Sequence, residues 1–183
     1  MIESKETLLL LKAISFAADK HRFQKRKDSN GTPYINHPID VALTLMQIGK
    51  EKNINLLIAA VLHDTIEDTK TTPKEIKEQF GKTVLDIVIE VTDDKGLPKA
   101  ERKKLQITNA PHKSTEAKKL KLADKICNIS DIIHNPPEDW SAKRKREYVN
   151  WVEEVMQGLK GSNAALEKYL TDLLLKGKDL FRD

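Results

Sequence analysis

The sequence holds a single cysteine, Cys127. No disulfide can form within the chain, and a reducing compartment is expected. Aromatic residues are scarce at 5%, and Gly and Pro number only 7 each among 183 residues. That scarcity excludes collagen-like and Gly/Pro-rich low-complexity architectures. No internal repeat stands out. Long hydrophobic runs are missing too. The apolar stretch 8–11 is interrupted by Lys12, and Asp19 and Lys20 follow. Nothing reaches the ~20 apolar residues of a membrane helix, and the N-terminus does not read as a signal peptide. The expectation is a soluble cytoplasmic protein with no membrane partner. The net charge of +4 and pI of about 9.0 are too mild to indicate nucleic acid, but they suit a polyanionic small molecule.

What is present points to helices. Hydrophobic residues make up 39% and charged residues 33%, with Leu, Ile, Ala, Lys and Glu prominent, which favours an all-α fold. The length suits one compact domain covering 1–183, with a core over about 8–176. Apolar residues at helical spacing predict a first helix over roughly 5–24. A turn loop follows at 28–33, around Gly31 and Pro33. Pro38 fits the first turn of a second helix that runs to about Gly49. Residues 53–68 read as one long helix. Thr72, Pro73 and Glu75 make a sharp start signal for a short helix that stops near Gly81. Residues 82–92 carry β-favouring side chains, yet with no strand partner in view they read as helix. A polar loop at 93–98 precedes helices predicted over 100–109, 114–133, 141–159 and 163–175.

The chemistry gathers in Leu62-His63-Asp64-Thr65-Ile66-Glu67-Asp68. An imidazole and three carboxylates follow an apolar run, and burying that much negative charge calls for a counter-charge. A divalent cation suits the mixture of imidazole and carboxylate. Two further segments add to it. In Tyr34-Ile35-Asn36-His37-Pro38 a histidine sits at a helix entrance. In Leu122-Ala123-Asp124-Lys125-Ile126-Cys127-Asn128 the acidic Asp124 interrupts an apolar face, with Asn128 one turn on.

The order His37, His63-Asp64, Asp124 resembles the HD superfamily of metal-dependent phosphohydrolases. The surrounding words, 32–38, 61–69, Phe80-Gly81, 90–95 and 121–125, are similar to the hydrolase domain of the RelA/SpoT proteins. Among these, the stand-alone small alarmone hydrolases first described as metazoan SpoT homologues match best. The resemblance runs from about residue 8 to about 176, which leaves no room for the synthetase and regulatory domains of the long members. It therefore implies a helical HD fold with a central metal site, and a single activity: hydrolysis of ppGpp or pppGpp to GDP or GTP and pyrophosphate.

The resemblance also implies roles. His37, His63, Asp64 and Asp124 would bind the metal, typically Mn2+ in this family. Glu67 and Asp68 would be the catalytic pair. Arg26, Lys27 and Asn128 would contact substrate near the metal, and Lys99, Arg144 and Tyr148 would line the outer side of the pocket. Two positions depart from the long members: Cys127 stands where they often carry histidine, and Ser130 where arginine is common. NADPH, through its 2′-phosphate, is an alternative substrate within the same chemistry, and other HD proteins cleave other nucleotides. A non-catalytic nucleotide-binding module is the reading from a different class. His21, His112 and His134 lack partner motifs and read as surface or structural. Trp140, Trp151 and Tyr169 read as core or helix-contact residues, and Cys127 as a small packed hydrophobe.

Overall fold

A computed structural model describes residues 4–28 and 30–182. Ser29, in the expected turn loop, lies outside the described residues, as do the ends of the expected domain, 1–3 and 183. The described chain is helical throughout. In order come α1 (Ser4–Lys20), α2 (Asn36–Gln47), α3 (Ile54–Leu62), α4 (Thr65–Asp68), α5 (Pro73–Phe80), α6 (Lys82–Val91), α7 (Lys99–Asn109), a 3-10 turn (Ala110–His112), α8 (Thr115–His134), α9 (Ala142–Leu159) and α10 (Ala164–Leu180). An isolated antiparallel bridge, Lys25 with Pro33, closes the loop after α1.

The central pieces are α3 and α8. Every residue from Leu56 to Leu62 is buried, as expected for a helix that is apolar on all sides. α3 packs against α1, α2, α6 and α8, and α8 packs against α2, α6, α9 and α10. One core cluster runs from Ala13 on α1 to Phe181 beyond α10.

Helix starts follow their sequence signals. Thr72 and Glu75 form a reciprocal capping box with Pro73 in the first turn, and Asn53, Ser114, Ser141 and Asn163 each cap the helix that follows them. α6 buries Val84, Ile87, Val88 and Val91 on one helical stripe, so spacing prevails over the β-favouring residue types. Gly81 adopts φ 90° between α5 and α6, a conformation that L side chains rarely take.

Three expectations need correction. α1 ends at Lys20 rather than near 24. α10 runs on to Leu180 rather than stopping near 175. The helix expected over 53–68 is broken at His63 and Asp64, with Asp64 at φ −98° and ψ −2°. The Thr65 hydroxyl donates to the Leu62 carbonyl at 2.6 Å, a side-chain bond that competes with the regular helical ladder.

Candidate metal centre and active site

That break places the site. On a regular helix adjacent side chains point about 100° apart. At the turn between α3 and α4, His63 and Asp64 face one point. His63 Nε2 lies 2.9 Å from Asp64 Oδ2. His37 enters from the first turn of α2, and its Nε2 lies 3.2 Å from Asp124 Oδ1 and 3.9 Å from Asp64 Oδ2. Asp124 comes from the middle of α8, its Oδ1 4.0 Å from His63 Nε2. One donor atom each from His37, His63 and Asp124 fall within 4.8 Å of one another, and Asp64 sits beside them.

Outer contacts aim these groups. His63 Nδ1 donates to the Ala60 carbonyl at 2.7 Å, which turns Nε2 toward the cluster. Tyr34 Oη donates to Asp64 Oδ2 at 2.5 Å. Asn128 Nδ2 donates to Asp124 Oδ1 at 2.6 Å. His63 Nε2 is buried and has no hydrogen-bond partner among the described residues, although carboxylate oxygens stand close to it. Two imidazole nitrogens converging with two carboxylates fit a divalent cation, which would take the place of the proton on His63.

The electrostatics agree. Burial opposes ionisation of Asp64 and Asp124, yet the His63 ring beside Asp64 and the Lys125 ammonium beside Asp124 hold both carboxyls well below their usual range. Burial likewise opposes charging His63, but Asp64 and Asp124 prevail and raise its pKa to about 9. Burial lowers that of His37. The site favours two carboxylates that require positive charge.

Glu67 and Asp68 end this segment on α4. Glu67 Oε2 accepts the Asp93 backbone N–H at 3.0 Å, and its Oε1 lies 3.3 Å from Lys95 Nζ and 3.9 Å from Arg102 Nη1. Burial raises the Glu67 pKa. Asp68 Oδ1 accepts from Lys95 Nζ at 2.6 Å, and Oδ2 accepts from Gln24 Nε2 at 2.9 Å.

Two cavities open beside this pair. Arg26, Lys27, Asn128 and Tyr148 line one of about 290 Å³ that also touches Asp68. Lys27, Lys99, Arg144 and Tyr148 line another of about 520 Å³ that touches Glu67. Arg26 Nη2 donates to Asn128 Oδ1 at 3.0 Å and pairs with Asp131 Oδ2 at 2.5 Å. Burial and then the charges of Arg144, Lys27 and Arg102 lower the Lys99 pKa, so cations crowd here in a way that suits a polyanion. Arg144 stacks over Trp140 and lies 3.5 Å from Asp139. All twelve residues singled out from the sequence thus fall at the cluster or on these two cavities.

Sequence reasoning passed over Gln24, Lys95, Arg102, Lys125 and Asp131, though Lys95 and Lys125 stand inside the words that carried the resemblance. It also set His21 aside, which is buried and bonded to Gln24. Trp151 is half-buried, its indole N–H donating to the Lys103 carbonyl, and Trp140 lines both cavities. Tyr169 is exposed rather than core. Cys127 is buried, and burial pushes its thiol up to about 12, which fits packing rather than nucleophilic use.

A helical bundle that gathers His37, His63-Asp64 and Asp124 from α2, the α3–α4 turn and α8 has the makings of an HD domain, and a family model described as HD domain matches residues 13–150. The MESH1 protein of Danio rerio, named guanosine-3′,5′-bis(diphosphate) 3′-pyrophosphohydrolase, is 52% identical over 93% of this chain and 94% of its own. Its counterpart of the same name in Homo sapiens is 52% identical over 92% and 94%. A solved structure described as "A metazoan ortholog of SpoT hydrolyzes ppGpp and plays a role in starvation responses" superposes with a TM-score of 0.89 at 42% identity, covering 92% of this chain and 94% of that one. The chain belongs to the MESH1 family of HD-domain proteins.

Proposed function

We propose that this protein is a divalent-metal-dependent 3′-pyrophosphohydrolase of ppGpp and pppGpp, yielding GDP or GTP and pyrophosphate. The observation that carries the proposal is the convergence of His37, His63, Asp64 and Asp124 beside Glu67 and Asp68, in a chain half identical to proteins named for this activity.

His37 and His63 through Nε2, and Asp64 and Asp124 through a carboxylate oxygen each, would hold the cation, which we take to be Mn2+. When bound, it would lower the pKa of a water and polarise the phosphoryl group. Glu67 is the group we assign to take the proton of the attacking water, because its burial keeps it ready to accept one. Water oxygen bonds to the phosphorus next to the ribose, the bond from that phosphorus to the 3′ oxygen breaks, and a proton goes to the departing 3′ oxygen. Asp68, tied at both oxygens, keeps its orientation beside Glu67. Arg26, Lys27 and Asn128 bind the reacting phosphates, and Lys99, Arg144 and Tyr148 bind the outer part of the nucleotide.

We further take the chain to act as one domain in the cytoplasm. Among the described residues no helix is long and apolar enough to cross a membrane. The test is pyrophosphate release from ppGpp by purified protein with and without added Mn2+. Release that depends on the metal is the expected result. Turnover of NADPH alone, with ppGpp untouched, would overturn the substrate assignment.

A further inference from the structure

The chain turns sharply where α1 stops. The His21 N–H bonds to the Ala17 carbonyl at 2.9 Å, and the Gln24 N–H to the His21 carbonyl at 2.8 Å. His21 stays in the interior, only 2% exposed. Its Nδ1 lies 2.7 Å from Gln24 Oε1, and Gln24 Nε2 donates to Asp68 Oδ2 at 2.9 Å.

The chemistry of the three groups fixes the hydrogens. A carboxylate only accepts, so Gln24 must turn its NH2 toward Asp68. The amide oxygen then faces His21 and also only accepts, so His21 must carry its hydrogen on Nδ1. Its Nε2 is buried with no hydrogen-bond partner among the described residues. Among the described residues the bond to Gln24 is thus the one polar contact of this ring, and Gln24 in turn bonds to Asp68.

We propose that His21 and Gln24 are positioning residues for the reaction: they fix the orientation of the Asp68 carboxylate through Oδ2, while Lys95 holds Oδ1. The inference rests on reading Asp68 as part of the catalytic pair. Gln24 acts on Asp68 directly, and His21 acts through Gln24 by holding its amide from rotating.

The rival account is packing, since the His21 ring lies 4.9 Å from the Tyr34 ring at a tilt of 37°. Two substitutions separate these. His21→Phe keeps a ring against Tyr34 and removes the donor. His21→Asn removes the ring and keeps an amide N–H near the place of Nδ1. Steady-state kinetics with ppGpp and Mn2+, together with the Mn2+ content of each purified variant, make the test.

His21→Phe and Gln24→Met should lower kcat about tenfold or more, as loss of an outer hydrogen-bond partner does, with KM and Mn2+ content near wild type. His21→Asn should retain most of kcat. In an Asp68→Asn background, His21→Phe should add no further loss. The reverse order, with His21→Phe active and His21→Asn impaired, would mean packing and overturn the proposal. So would wild-type kcat in Gln24→Met.

A second readout does not depend on turnover. In 15N-labelled protein, His21 should show the Nδ1–H tautomer, and Gln24→Met should shift its Nδ1 resonance. An Nε2–H signature would sink the hydrogen-bond chain whatever the activity. A wild type that shows the Nδ1–H signature but cleaves no ppGpp would sink the proposed activity, and the positioning role with it.

Discussion

The Lys125 ammonium lies 3.2 Å from Asp124 Oδ2, while the other oxygen of that carboxylate, Oδ1, lies 3.2 Å from His37 Nε2. Lys125 is buried, and its Nζ also sits 4.7 Å from the centre of the Trp151 ring, a favourable seat for a desolvated cation. One oxygen of Asp124 is neutralised from outside, which leaves Oδ1 to face the histidines.

Lys125→Met, which keeps the length of the side chain and removes its charge, is therefore expected to weaken Mn2+ binding by about 10–100-fold. Calorimetric titration of metal-free protein with Mn2+ measures this directly. Wild-type affinity in the variant would mean that Lys125 does not shape the ligand.

Arg26 is held at the cavity edge by Asp131 and Asn128, so its guanidinium is already placed when a phosphate arrives. Arg26→Ala should raise KM for ppGpp about tenfold or more while Mn2+ content stays at the wild-type level. Arg26→Lys should recover little, because an ammonium cannot reproduce the planar fork. Steady-state kinetics beside metal analysis would reveal a failure of either statement.

The four residues we propose as ligands were legible in the sequence because residue type and order carry them. His37 beside Pro38, His63-Asp64 after an apolar run, and Asp124 within an apolar face each interrupt a pattern. The helix starts at Thr72, Ser114, Ser141 and Asn163 were legible because capping is local chemistry. The break at Asp64 was not, since no glycine or proline marks it and the Thr65 hydroxyl that bonds back to the Leu62 carbonyl there is a partner only the folded chain reveals. Nor were the partners of the acidic pair. Gln24 meets Asp68 across 44 residues, and Lys95 meets it across 27, and such pairings exist only after the helices have packed.

α9 approaches the 3-10 turn through Gly158, where an added Cβ would stand 2.7 Å from Ala110 Cβ and 2.7 Å from Pro111 Cδ. Gly158→Ala should overpack this contact despite its better helix propensity, and cost about 1–3 kcal/mol. Urea unfolding gives the value, and a variant more stable than wild type would show that the turn can yield.

The capping box at the start of α5 also predicts a pH dependence. The Lys20 ammonium first, then the Thr72 backbone and hydroxyl, bring the Glu75 pKa from its ordinary 4.5 to about 2. A carboxyl with a lower pKa folded than unfolded adds stability that is fully present above about pH 4.5 and is lost as pH falls toward 2. Glu75→Gln should therefore be less stable than wild type at pH 7, and the gap should narrow steadily below about pH 4.5. Urea midpoints across that range test it. A gap constant with pH would place the effect outside Glu75 ionisation.

In the mechanism we propose, metal binding and proton handling belong to different carboxylates a single turn apart. The direct measurement is Mn2+ content by mass spectrometry beside pyrophosphate release from ppGpp, for wild type, Asp64→Ala and Glu67→Gln. The expected result is loss of both metal and turnover in Asp64→Ala, and in Glu67→Gln a full complement of metal with turnover down by about 100-fold or more. Near-wild-type turnover in Glu67→Gln, or full metal content in Asp64→Ala, would contradict it.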